Sequence, residues 1–118
     1  MANPNRGAVA LETEDKVYSL RFSTNAICEL EEHFGKPIMQ IVNELEDESR
    51  VSMGMIRSIV WAALLEHDPE ITHKEAGRVL DHAGQQVVME KIGLALQRFF
   101  PDAGAEKGKA NPPKAKAE

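Results

Sequence analysis

Between Tyr18 and Glu32 the hydrophobic period of the chain changes from two to between three and four within a few residues, the pattern of a strand that runs directly into a helix. Tyr18, Leu20 and Phe22 alternate with Ser19 and Arg21, and Ile27, Leu30 and Phe34 then recur at helical spacing. Ser23, Thr24 and Asn25 stand at the changeover. Their short oxygen-bearing side chains suit the start of a helix, where they accept hydrogen bonds from unpaired backbone N–H groups.

That strand needs a partner, and the residues before it supply one. Val9 and Leu11 alternate with Ala8, Ala10 and Glu12, and Thr13 to Lys16 make a polar break, so residues 8 to 22 predict an antiparallel hairpin. The turn has no Asn-Gly or Asp-Gly pair. Two strands alone are marginal in water, so the apolar face of this hairpin requires cover from the rest of the chain.

Helices follow in sufficient number to provide it. The first is predicted from about Thr24 to Phe34, ended by Gly35 in a left-handed conformation and by Pro37. Pro37 then suits the first turn of a second helix with Ile38, Ile41, Val42 and Leu45 on one face, closed by the polar Glu46 to Ser49. A third helix, from about Ser52 to His67, carries Ile56, Ile59, Val60, Ala63 and Leu64 flanked by Trp61, Ala62 and Leu65. This apolar belt is wide enough for a central helix, and Asp68-Pro69 stops it. Thr72-His73-Lys74-Glu75 reads as a capping box, with Ile71 and Ala76 as a weak apolar staple, for a helix that ends near Gly84. The last helix places Val88, Ile92, Ala95, Leu96 and Phe99 on one stripe and ends at Pro101.

Residues 102–118 have no apolar period and are expected to form a disordered tail, slightly basic with four Lys against Asp102, Glu106 and Glu118. A chain of 118 residues with 42% hydrophobic positions can build one core. The expected fold is therefore α+β, mainly α: a single compact domain over residues 1–101, its N-terminal hairpin (8–22) packed on about five helices within 24–100.

Composition narrows the function classes. A formal net charge of -5 argues against a nucleic-acid partner, because that affinity rests on Lys and Arg neutralising phosphates. No apolar run approaches the roughly 20 residues of a membrane span, and the first six residues lack the apolar stretch of a secretory signal, so a cytoplasmic location is expected. Cys28 is the single cysteine, and its neighbours Ala26, Ile27 and Leu30 predict a small buried hydrophobe.

His33, His67, His73 and His82 are spread over three predicted helices without a metal-ligand spacing, so a structural role is expected and no metal, cofactor or catalytic residue is assigned. Carboxylates gather at Glu29, Glu31 and Glu32 and again at Glu44, Glu46, Asp47 and Glu48, off the apolar stripes of the first two helices. They read as solvated faces, and Glu29, Glu32, Glu44 and Asp47 are the candidates for steering a basic partner. Met39, Met53 and Met55 suit core filling, with Met53 and Met55 as a second candidate contact surface. A helix-turn-helix reading of Thr72 to Gly84 is weakened by the few basic or amide residues that follow, so a small DNA-binding regulator stays a minor alternative.

The junction from Tyr18 to Glu32 with its preceding hairpin, the segment Arg57 to Leu64, and Ile71 to Gly77 with Leu80 to Gly84 carry a family resemblance. Over roughly residues 6 to 101 the chain resembles the small tail proteins of gene transfer agents and related long-tailed phages, described as tail tube or tail assembly chaperone proteins. The resemblance implies a non-enzymatic tail assembly chaperone that engages the tape measure protein, the tail tube protein or both, with self-association open and a longer frameshifted product known in related chaperones. It leaves, as the structural alternative, a tube-associated protein retained in the particle tail.

Overall fold

The computed structural model describes residues 7–100. Residues 1–6 and the tail expected at 102–118 lie outside the described residues.

Strands β1 (Val9–Glu12) and β2 (Val17–Leu20) pair antiparallel, with Val9 opposite Leu20 and Leu11 opposite Tyr18. Because side chains alternate across a sheet, this register collects Val9, Leu11, Tyr18 and Leu20 on one face. Val9, Leu11 and Leu20 are buried, whereas Val17 on the opposite face is exposed. The turn is closed by Thr13, whose Oγ1 accepts hydrogen bonds from the N–H groups of Asp15 and Lys16. A threonine hydroxyl thus does the work that a tight glycine turn does elsewhere.

Five helices follow: α1 (Thr24–Phe34), α2 (Ile38–Leu45), α3 (Met53–Leu64), α4 (His73–Ala83) and α5 (Gln85–Phe99). Their starts are chemically explicit. Ser23 caps α1 through the Ala26 N–H, Ser52 caps α3 through the Met55 N–H, and Thr72 with Glu75 forms the complete capping box of α4. Gly35 ends α1 at φ 68°, as expected. Gly84, at φ 93°, both ends α4 and starts α5, so two helices meet with no intervening loop. Helix α3 stops at Leu64, short of the predicted His67, because the N–H groups of Leu65 and His67 bond to carbonyls three residues back and tighten the chain out of the α-helix.

Helix α3 is the centre of the domain and packs on α1, α4, α5 and β2. Its residues Ile56, Ile59, Val60, Ala62 and Ala63 are almost wholly buried. The hairpin lies over α3 and α5, and the two ends of its cover are tied by hydrogen bonds: the Arg21 N–H donates to the Ala63 carbonyl at 2.9 Å, and the Arg98 guanidinium donates to the Ala8 carbonyl at 2.6 Å. Glu66 adds a side-chain tie, pairing with Arg21 at 3.1 Å and accepting from the Ser23 hydroxyl at 2.7 Å. The apolar face that two strands cannot hide is thereby covered, with Phe22 only 3% exposed.

Two expectations about single residues are corrected. Cys28 is exposed. Each helical residue turns about 100° from the last, so with Ala26, Ile27 and Leu30 facing inward, Cys28 points to the far side. Met39 and Met53 are also exposed, leaving Met55 as the core methionine of the three. Among the described residues no helix is long and apolar enough to cross a membrane.

Candidate functional site

The acidic candidates separate into two kinds once their surroundings are visible. Glu29 and Glu32 are exposed on α1 and have no hydrogen bond or ion pair among the described residues. Glu44 is engaged: the Lys36 ammonium bonds both its oxygens at 2.9 and 3.1 Å, and Gln40 adds a third contact at 3.3 Å. Those bonds, Lys36 first, hold its carboxyl below the ordinary value. Asp47 accepts from the hydroxyl and the N–H of Ser49, which lowers its carboxyl too and shapes the turn after α2. Glu31, read in sequence as part of a wet face, instead accepts the Ile38 N–H at 2.8 Å and caps α2, whose own N-cap Pro37 offers no side-chain acceptor. Met55, at 7% exposure, belongs to the core and is removed from the candidate contact surface, while Met53 remains on it at 53%.

The histidines, scattered in sequence, are partly gathered by the fold. His73 at the start of α4 stacks on Trp61 of α3, and His33 in the last turn of α1 stacks on His73 with centroids 5.0 Å apart. The Trp61 indole N–H donates to the Ile71 carbonyl at 3.1 Å, which fixes the approach to α4. Burial, then the nearby His33 and Arg57, push the His73 imidazole below its ordinary pKa. Its Nε2 is buried without a hydrogen-bond partner among the described residues, so a proton added there would have no acceptor.

His33 Nε2 also lies 3.0 Å from the Ser58 hydroxyl, a distance seen between nucleophile and base in hydrolytic sites. Ser58 is 3% exposed on the central helix, however, so no substrate atom can reach its oxygen. The bond is a tie between α1 and α3. No group of three or more metal-ligating side chains forms among the described residues.

An open groove of about 480 Å³ lies between the first turns of α3 and the outer face of α4. Met53, Arg57, Lys74, Arg78, Leu80 and Asp81 contribute to its lining. Helix α4 approaches closely here because it carries Gly77: a Cβ at that position would stand 3.3 Å from Arg57 Cδ. The arginine stem therefore lies across α4, and Arg57 lines the groove. Arg57, Lys74 and Arg78 have no hydrogen bond or ion pair among the described residues. Lys36, Arg50 and Arg98 by contrast are all engaged by carboxylates or a carbonyl. Sequence reasoning missed this cluster, because an isolated Arg57 within an apolar helix gave no hint of which later cations would face it.

Comparison of the chain with family models, curated proteins and solved structures finds no match.

Proposed function

We propose that this protein is an assembly factor of a phage-like tail, of the tail assembly chaperone type, acting in the cytoplasm of the bacterial host on the tape measure protein, the tail tube protein or both. The observation that carries this reading is the mutual packing of the three segments on which the family resemblance rests. Leu20, Phe22, Ile27 and Leu30 from the first, Ile59, Val60, Ala63 and Leu64 from the second, and Ile71, Ala76 and Leu80 from the third are all buried in one core. Residues that resemble a family at separate places in the chain here form a single interior, which is what a shared fold would require.

Strand content favours a chaperone over a tube subunit. A tube ring is closed by strands from each subunit, whereas the described residues contain a single two-stranded sheet. The exposed Glu29 and Glu32 of α1 suit the steering of a basic tail component during assembly.

Co-expression with the products of neighbouring tail genes, followed by affinity capture, tests the reading directly. A stable complex with the tape measure or tube protein, together with loss of the chain from purified particles by mass spectrometry, is the expected result. An abundant chain in the particle would make it a retained tail component instead, and capture of neither tail product would overturn the assignment.

A further inference from the structure

We propose that the groove between α3 and α4 is a docking site for an acidic segment of a partner protein that also carries an apolar side chain. The inference is independent of the tail assembly reading, since it rests on the groove itself.

Charge is the first argument. Arg57, Lys74 and Arg78 line one opening without an internal counter-ion, against the single carboxylate of Asp81. The groove also lies at the start of the twelve-residue α3, where the helix dipole adds partial positive charge. Three cations facing one carboxylate stand out on a body that carries nine Lys and Arg against sixteen Asp and Glu between residues 7 and 100. Side chains of one sign held together repel one another, and an incoming carboxylate relieves that repulsion.

Chemistry and size then select among anions. Met53 is half-exposed in the lining, so the opening offers apolar contact beside its charges, whereas Leu80 is buried beneath it. A thioether on an unbranched stem adapts to varied apolar side chains. The volume matches a site for a few side chains. A nucleic-acid duplex would extend beyond it over the excess carboxylates of the same body and be repelled. The chain's own C-terminal segment, with Lys107, Lys109, Lys114 and Lys116, has the wrong charge to fill it. Gly77 adds close approach: by leaving room for the Arg57 stem to lie across α4, it brings that side chain onto the groove.

The test uses the full isotope-labelled chain, titrated at low salt with a short peptide of Glu, Asp and Leu. Its Lys-for-acid counterpart, a short DNA duplex and inorganic phosphate serve as the comparison probes. The acidic peptide should shift amide resonances around Met53 to Arg57 and Lys74 to Asp81. Arg57→Glu with Arg78→Glu should weaken its binding at least about tenfold, and Met53→Ala by about threefold. Arg57→Gln with Arg78→Gln, which removes charge without reversing it, should fall between, and unchanged thermal melting would show that all variants fold. Absent or displaced shifts, equal binding by the double variants, tighter binding of the duplex, or saturation by phosphate alone would each overturn the proposal. So would self-association in sedimentation that vanishes in the Arg57→Glu/Arg78→Glu variant, because the occupant would then be a second copy of the chain.

Discussion

His73 lies nearly flat against Trp61, with ring centroids 4.3 Å apart and planes 20° apart, so α4 is joined to α3 at its first residue by ring stacking. The same indole donates its N–H to the Ile71 carbonyl just upstream. His33 also contacts this pair, its ring centroid 5.0 Å from that of His73 and 6.2 Å from that of Trp61, and burial of the His73 imidazole disfavours its charged form. Three helices are therefore joined through these rings.

Acid should loosen that contact. The folded-state pKa of His73 lies below the ordinary value of 6.5, first because of burial and then because of the His33 and Arg57 charges. As pH falls through the ordinary value the unfolded chain takes up a proton that the folded chain refuses, so stability drops until the folded pKa is passed and then levels. Urea unfolding at about pH 7.5 and about pH 5.5 should show a smaller acid loss in His73→Phe, which keeps a ring and removes the titration. Equal losses in the two proteins would assign the acid sensitivity to other groups.

Phe22 is the last inward side chain of the hairpin edge and is 3% exposed between the strands and α3. Phe22→Ala should lower unfolding stability by about 3 kcal/mol or more, from lost apolar transfer and the cavity left behind. A loss under about 1 kcal/mol in denaturant titration would mean that the hairpin contributes little to the core.

Glu31 links α1 to α2 through its bond to the Ile38 N–H. Removing that acceptor in Glu31→Ala should cost about 1 kcal/mol, as the loss of an N-terminal cap does. Glu31→Gln retains a carbonyl acceptor and loses only the charge next to the helix start, so its cost should be smaller. Hydrogen exchange of the α2 amides should quicken in the alanine variant and leave α4 and α5 unaffected.

Gly93 and Gly77 are both helical glycines, yet they should answer alanine differently. Nothing stands within 4 Å of a Cβ built at Gly93, so Gly93→Ala should stabilise α5 by up to about 1 kcal/mol. At Gly77 the Arg57 stem must shift by a few tenths of an ångström to make room. The helix gain there should be partly offset, and equal gains at the two sites would show that Arg57 moves freely.

Local chemistry was legible in the sequence wherever it depended on residues close along the chain. The hairpin, the strand-to-helix junction, the Thr72 capping box and the Gly35 stop follow from alternation, from short oxygen-bearing side chains and from glycine's access to positive φ, all of which act over a few residues. The outward position of Cys28 was also within reach, since helical rotation alone excludes it from the face of Ile27 and Leu30. The partners of a side chain across helices were not. Periodicity states which face turns inward, but the angle and axial offset at which two helices cross decide which residues of those faces and rims meet. That is why His33, Trp61 and His73 converge, why Glu31 caps the helix after its own, and why Arg57 finds Lys74 and Arg78 across Gly77 only once α3 and α4 have packed.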